Sequence, residues 1–238
     1  MHTVYDSELF EHVADWLFDP KELEQRGALE AQTSGRRSAY IFRVEGQRYV
    51  LRHFWRGGLV GRLLTDTYVW TGLRRSRPMR EWQLLLELQR RGLPVPRPAA
   101  FRTVRHGAVY RADLITVELD RTRTLADLLA EGPLGADAWR GVGAIIAEFH
   151  RHGAYHHDLN ARNILIDSTG SVYVIDWDRG CIRKPRLDWQ QSNLTRLRRS
   201  LLKQASLTPT YNFGPRDFAL LLAGYRLASY AATMTSSR

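Results

Sequence analysis

Hydrophobic and polar positions alternate over two neighbouring stretches, Ser38 to Val44 and Arg48 to Phe54, with the polar turn Glu45-Gly46-Gln47 between them. Alternation sends every second side chain to one face, so the pair predicts a β-hairpin. Shorter strand-like runs follow at Ala108 to Arg111 and Leu114 to Leu119. One helical period interrupts them. Trp82, Leu85 and Leu86 fall at i, i+3, i+4, with Leu84 and Leu88 beside them, which predicts a helix from about Met79 to Arg91. Gly92 stops it, and Pro94, Pro96 and Pro98 cannot continue it. After Leu119 the period becomes helical. Thr124 to Leu129 and Ala138 to Arg151 read as helices. Ile164 to Ile166 and Val172 to Ile175 read as short strands around Asp167-Ser168-Thr169-Gly170, and the chain from Trp189 on is helical again. The expected class is α+β, with a strand-rich N-terminal lobe over 1–119 and a helical C-terminal lobe over 120–238.

Composition narrows the classes. The 238 residues are 44% hydrophobic, enough for a packed core, which excludes a disordered or collagen-like chain. One cysteine, Cys181, excludes an internal disulfide framework and a multi-cysteine metal site and fits a reducing compartment. His152, His156 and His157 cluster without zinc-ligand spacing, so His156 is expected to brace its loop by hydrogen bonds. The start of the chain has no basic stretch followed by an apolar one. The most apolar run, Phe218 to Met234, is broken by Arg226 and reads as a buried helix. A cytoplasmic protein that touches a membrane without spanning it is the expectation.

Charge raises the question of a partner. With 35 Lys and Arg against 25 Asp and Glu, the net charge is +10. It is uneven: residues 1–24 hold seven acids and one lysine, a sum of −6, which leaves +16 on the rest. Such a balance suits nucleic acid, an anionic membrane or a phosphorylated substrate. Two readings stand for the acidic start: it packs back on the basic lobe, or it is simply flexible.

The chemistry concentrates in His156-His157-Asp158-Leu159-Asn160-Ala161-Arg162-Asn163-Ile164-Leu165, followed by Asp176-Trp177-Asp178. Phosphoryl transfer needs a group that orients the acceptor hydroxyl and hard oxygen ligands for Mg²⁺. Asp158 and Asn163 are five apart, and a strand–turn–strand returns Asp176 to the same loop. This spacing resembles the catalytic loop and metal-binding segment of the protein-kinase-like fold. Asp158 is then the catalytic base, and Asn163 and Asp176 are the metal ligands. Asp178 either assists the metal or is a solvated acid. Trp177 is expected to pack into the lobe.

The first lobe would supply the nucleotide contacts. Arg52 in Val50-Leu51-Arg52 stands where kinases present a lysine to the α- and β-phosphates. Its acidic partner is Glu81 on the predicted helix, with Glu87 as the alternative. Ser34, Gly35 and Arg36 lie where a glycine-rich loop would cover phosphate, but a single glycine there reads equally as a basic turn.

Taken together the sequence resembles the 3-deoxy-D-manno-octulosonic acid (Kdo) kinases of Gram-negative bacteria, among the lipopolysaccharide-core kinases. The carrying segments are Leu51-Arg52-His53-Phe54-Trp55-Arg56-Gly57-Gly58-Leu59, Asp66-x-Tyr68, Gly92-Leu93-Pro94-Val95-Pro96, Ala112-Asp113-Leu114, the Asp158 loop, and Asn193-Leu194-x-Arg196-Leu197-x-Arg199-Ser200. The resemblance covers about residues 25 to 230. It implies a two-lobed protein-kinase-like fold and ATP- and Mg²⁺-dependent phosphorylation of the Kdo 4-hydroxyl on a Kdo-lipid A precursor. It also implies work at the cytoplasmic face of the inner membrane. An anionic lipid acceptor agrees with the basic charge, and Arg56, Arg62, Arg196 and Arg199 are its candidate ligands. Arg196, Arg199 and Lys203 recur on the predicted helix in a pattern suited to anionic headgroups at a membrane surface.

Other readings are a heptose or other small-molecule kinase, and, in a different class, a nucleotide-binding pseudokinase or a nucleic-acid-binding module. The intact Asp158, Asn163 and Asp176 oppose a dead site. No nucleic-acid motif appears, so no nucleic acid is expected as partner.

Overall fold

A computed structural model describes residues 1–33, 39–55, 66–208 and 210–235. The chain divides into two units, Met1–Leu86 with Pro96–Leu119, and Glu87–Val95 with Asp120–Arg238. The expected first lobe ran unbroken to 119, yet the stretch 87–95 goes with the second unit. Long-range bonds fasten it there: Arg91 Nη1 donates to His152 O at 2.8 Å, and Val174 N to Pro94 O at 3.1 Å.

The first unit is built on an antiparallel sheet. Its strands are β1 (His2–Tyr5), β2 (Leu29–Gln32), β3 (Ala39–Val44), β4 (Gln47–His53), β5 (Tyr68–Val69), β6 (Pro98–His106) and β7 (Val109–Val117). Their order is β1-β6-β7-β4-β3-β2, with β5 also pairing β7. The β3–β4 hairpin forms as its alternation predicts, and Glu45 and Gly46 take the positive φ of 52° and 79° that the tight turn requires. The two runs expected after residue 107 are one strand, β7, because Ala112 and Asp113 stay in register with β6.

Two elements of this unit carry no alternation. Strand β6 has Ala99, Ala100 and Phe101 buried in succession. The N-terminal segment is acidic, yet Phe10, Val13, Leu17, Phe18 and Leu23 join Phe42, Tyr49, Leu51 and Ile115 in one apolar cluster. Asp6 and Glu8 pair with Arg97, at 2.6 and 2.5 Å. The acidic start therefore packs on the sheet of its own unit. Helix α1 (Pro20–Gln25) lies within it, capped by the Asp19 carboxylate accepting from Lys21 N.

Helix α2 (Arg77–Arg90) begins two residues before its predicted start. Trp82 packs edge-on against Phe101 at 5.7 Å between ring centres.

The second unit holds β8 (Thr122–Thr124), α3 (Leu125–Glu131), α4 (Ala136–Arg151), β9 (Ala154–Tyr155), β10 (Ile164–Asp167), β11 (Val172–Val174), β12 (Cys181–Ile182), α5 (Leu187–Leu207) and α6 (Pro215–Thr235). Strands β11, β10 and β8 make a small sheet, and β12 pairs β9. Helices α4 and α6 touch backbone to backbone. A Cβ on Gly143 would lie 1.9 Å from Leu221 O, and one on Gly224 2.1 Å from Arg140 O. Among the described residues no helix is long and apolar enough to cross a membrane.

Candidate active site

In the first unit, alternation along β4 turns Arg52 to the face opposite Leu51 and His53. Arg52 Nη2 donates to Glu81 Oε1 at 2.5 Å, and its guanidinium lies 5.0 Å from the centre of the Phe54 ring. Glu81 is only 3% exposed. The ion pair fixes the plane of a group shaped to grip phosphate through two donors. Glu87, the alternative partner, is engaged instead by Arg90 and, at 2.7 Å, by Arg91. Both arginines hold its carboxyl below the usual carboxylate range. Ser34, Gly35, Arg36, Arg56 and Arg62 lie outside the described residues.

His53, Asp66 and Asp113 had a place in recognisable segments but no assigned role. They form one network. His53 Nδ1 meets Asp113 Oδ1 at 2.6 Å, and its Nε2 lies 3.6 Å from Asp66 Oδ2. Arg102 donates to Asp113 Oδ2 at 3.0 Å, and Arg111 Nε lies 2.9 Å from Asp66. His53 and Asp113 are direct cross-strand partners, so the network ties β4, β7 and β6 together. A charged residue inside the apolar β7 run was the available signal.

In the second unit the loop between β9 and β10 is organised by His156. Asp158 N donates to His156 Nδ1 at 3.1 Å, so the ring proton sits on Nε2, which donates to Ile175 O at 3.0 Å. The ring is 2% exposed, and burial pushes its pKa below the ordinary histidine value. A neutral histidine thus holds the Asp158 loop to the strand that leads into Asp176. This is the bracing role expected of it.

Asn163 adds a second tie. Its Nδ2 donates to Asp158 O at 3.0 Å, while its own carbonyl accepts from Ile175 N at 3.0 Å. Its Oδ1 accepts no hydrogen bond among the described residues. Asp176 has φ +60°, a left-handed conformation that is uncommon outside glycine and tolerated best by Asp and Asn. The chain turns sharply there and Trp177 drops into the core. It is 1% exposed and bonds Val174 O at 2.9 Å. Asp158 itself is exposed. Asn160 Nδ2 donates to its Oδ2 at 3.3 Å, and Arg196 Nη1 of α5 stands 3.7 Å from its Oδ1. Arg199, on the same helix, is exposed.

Among the described residues no group of three or more His, Cys, Asp and Glu is placed to hold a metal ion by itself. Asn163 Oδ1 and the Asp176 carboxylate are two hard oxygens anchored on adjoining backbone. That donor set is the kind Mg²⁺ uses when phosphate and water complete its shell. Asp158 offers an accessible carboxylate to a hydroxyl. Both features suit phosphoryl transfer.

The chain matches the lipopolysaccharide kinase (Kdo/WaaP) family over residues 22–225. It is 37% identical over 217 residues to a 3-deoxy-D-manno-octulosonic acid kinase of Vibrio parahaemolyticus, covering 91% of this chain and 90% of that one. To the enzyme of the same name in Xanthomonas oryzae pv. oryzae it is 42% identical over 200 residues, covering 84% and 80%. A solved structure of WaaP in complex with acyl carrier protein superposes with a TM-score of 0.59 at 18% identity, covering 94% of this chain and 88% of that one, a likeness of fold.

Proposed function

This chain belongs to the lipopolysaccharide kinase (Kdo/WaaP) family, and from that premise we propose that it transfers the γ-phosphoryl group of ATP to the Kdo sugar of a Kdo-lipid A precursor, at the 4-hydroxyl. Long, high-coverage similarity to Kdo kinases supports the substrate. The observation that carries the chemistry is the Asp158 loop, whose backbone is held at three points by His156 and Asn163 while its carboxylate stays exposed.

Asp158 orients the acceptor hydroxyl and takes its proton as the new P–O bond forms. Asn160 steadies the carboxylate. Asn163 and Asp176 are the residues that would hold Mg²⁺, which would supply neutralising charge to the phosphate oxygens. Arg52, fixed by Glu81, answers the α- and β-phosphates, and Ser34, Gly35 and Arg36 are proposed to cover them. Most of the catalysis is then positioning and charge stabilisation. Arg56, Arg62 and Arg199 are proposed to meet the anionic acceptor, and the inner-membrane surface is where such a lipid is presented.

The test is turnover of purified protein with MgATP and Kdo-lipid A, beside heptose-terminated lipid, a protein substrate and RNA. Phosphate should appear on the Kdo-lipid alone. Asp158→Ala should remove it with the fold unchanged by circular dichroism, and Asp176→Asn should weaken the response to Mg²⁺. Full turnover by the Asp158 variant would exclude this residue as the base.

A further inference from the structure

Arg196 differs from the other bases of α5. The helix is fastened to the Asp158 loop at two points of one stripe: Asn193 Nδ2 donates to His156 O at 3.0 Å, and Ser200 Oγ accepts from Ala161 N at 3.2 Å. Arg196 comes three residues after Asn193 and four before Ser200, so helical spacing keeps it beside both. Its Nη1 is 3.7 Å from Asp158 Oδ1, longer than a hydrogen bond, and its Nε is closed off from solvent with no hydrogen-bond partner. A guanidinium held in place with a buried donor unsatisfied carries a standing free-energy cost that an arriving anion would relieve. By contrast Arg199 and Lys203 are solvent-exposed and make no ion pair among the described residues.

The Kdo-kinase reading, on which this inference rests, makes the acceptor a sugar acid. Its 4-hydroxyl lies two ring positions from the carbon that bears the carboxylate. A hydroxyl seated on Asp158 brings that carboxylate close to the aspartate, and two like charges repel. A fixed cation beside Asp158 offsets the repulsion and offers a planar fork that matches a carboxylate. We propose that Arg196 binds the carboxylate of the acceptor sugar and so selects a sugar acid over a neutral sugar. Asn193 and Ser200 hold the helix that carries it at the required height. The role is one of specificity and is separate from the contacts that exposed bases of α5 make with phosphates or lipid.

The experiment compares two acceptors, the Kdo-lipid A precursor and the same lipid with the Kdo carboxyl reduced to a primary alcohol. The wild type should prefer the acid by about 10- to 100-fold in kcat/KM, the range expected for a charge-assisted bidentate contact. Arg196→Met should bring the two acceptors within about threefold, through a raised KM for the acid, with KM for ATP unaltered. Arg196→Lys should keep part of the preference, and it carries the test if the methionine variant melts at a much lower temperature. Equal slowing of both acceptors with the preference intact would overturn the proposal and leave Arg196 as a support for Asp158. A wild type that phosphorylates neither acceptor overturns the Kdo reading itself, whereas one that phosphorylates both equally overturns only the role of Arg196.

Discussion

His150 offers a way to weigh the packing that supports the Asp158 loop. It sits in the last turn of α4, 2% exposed, with Nδ1 2.9 Å from Tyr225 Oη and its ring edge-on to Trp189 at 5.0 Å. Burial pushes its pKa down to about 4 from 6.5, and the amide of Asn193 offsets only part of that. The unfolded chain therefore binds a proton that the folded protein refuses throughout the interval between those values. The contribution to stability is complete above the unfolded pKa and is lost as pH falls toward the folded one. At about 1.4 kcal/mol per unit, the full effect is about 3 kcal/mol, of which about 2 kcal/mol is gone by about pH 5. His156, buried and depressed for the same reason, adds to the loss in the same direction. His150→Gln removes the titration and retains an amide for Tyr225. Urea unfolding followed by tryptophan fluorescence, with Trp189 as the neighbouring reporter, should show the wild type weakening from about pH 7.5 to about pH 5 by about 2 kcal/mol more than the variant. Equal losses in the two proteins would refute the assignment of the pH dependence to this ring.

Two further outcomes follow from packing and charge. Gly143→Ala and Gly224→Ala each place a methyl on facing backbone, so each should destabilise by about 1–3 kcal/mol in thermal unfolding. The double variant should cost less than the two together, because both push α4 and α6 apart; a neutral result for either would contradict the close approach. Arg52→Met removes a cation from the 3%-exposed Glu81 and should cost about 3–5 kcal/mol. Arg52→Lys should keep most of the stability yet raise KM for ATP by about tenfold, since an ammonium lacks the two-donor fork.

Where one face of an element meets water, its position was legible. Strands β3 and β4, helix α2 and the loop around Asp158 all lie within a few residues of where alternation, period or spacing puts them. Strand β6 was missed because Ala99, Ala100 and Phe101 are buried in a row, which erases the period of two. Pro98 was read only as a helix stop, yet it opens the strand, a place where a missing N–H is tolerated. The N-terminal segment left two readings open, packed or flexible, and it is packed. Its apolar residues are spaced irregularly, and Arg97, which answers Asp6 and Glu8, lies about ninety residues away. The Arg52–Glu81 pair was legible because the motif supplies both partners. Arg196 was expected to share one basic face with Arg199, and its approach to Asp158 depends on how α5 is anchored, which no local pattern encodes.

The net charge of +10 can now be divided by location. In the first unit several arginines are matched inside the fold: Arg43 and Arg48 with Glu30, Arg97 with Asp6 and Glu8, Arg102 with Asp113, Arg111 with Asp66. Their positive charge is cancelled within a few ångströms and contributes little field at a distance. On α5 the order is reversed. Arg198, Arg199 and Lys203 are exposed without an ion pair among the described residues, on the helix whose Arg196 approaches Asp158. Unmatched charge of one sign on a single helix raises the local concentration of an anion before any contact forms. An acidic acceptor is thus drawn toward the second unit, where the proposed base stands.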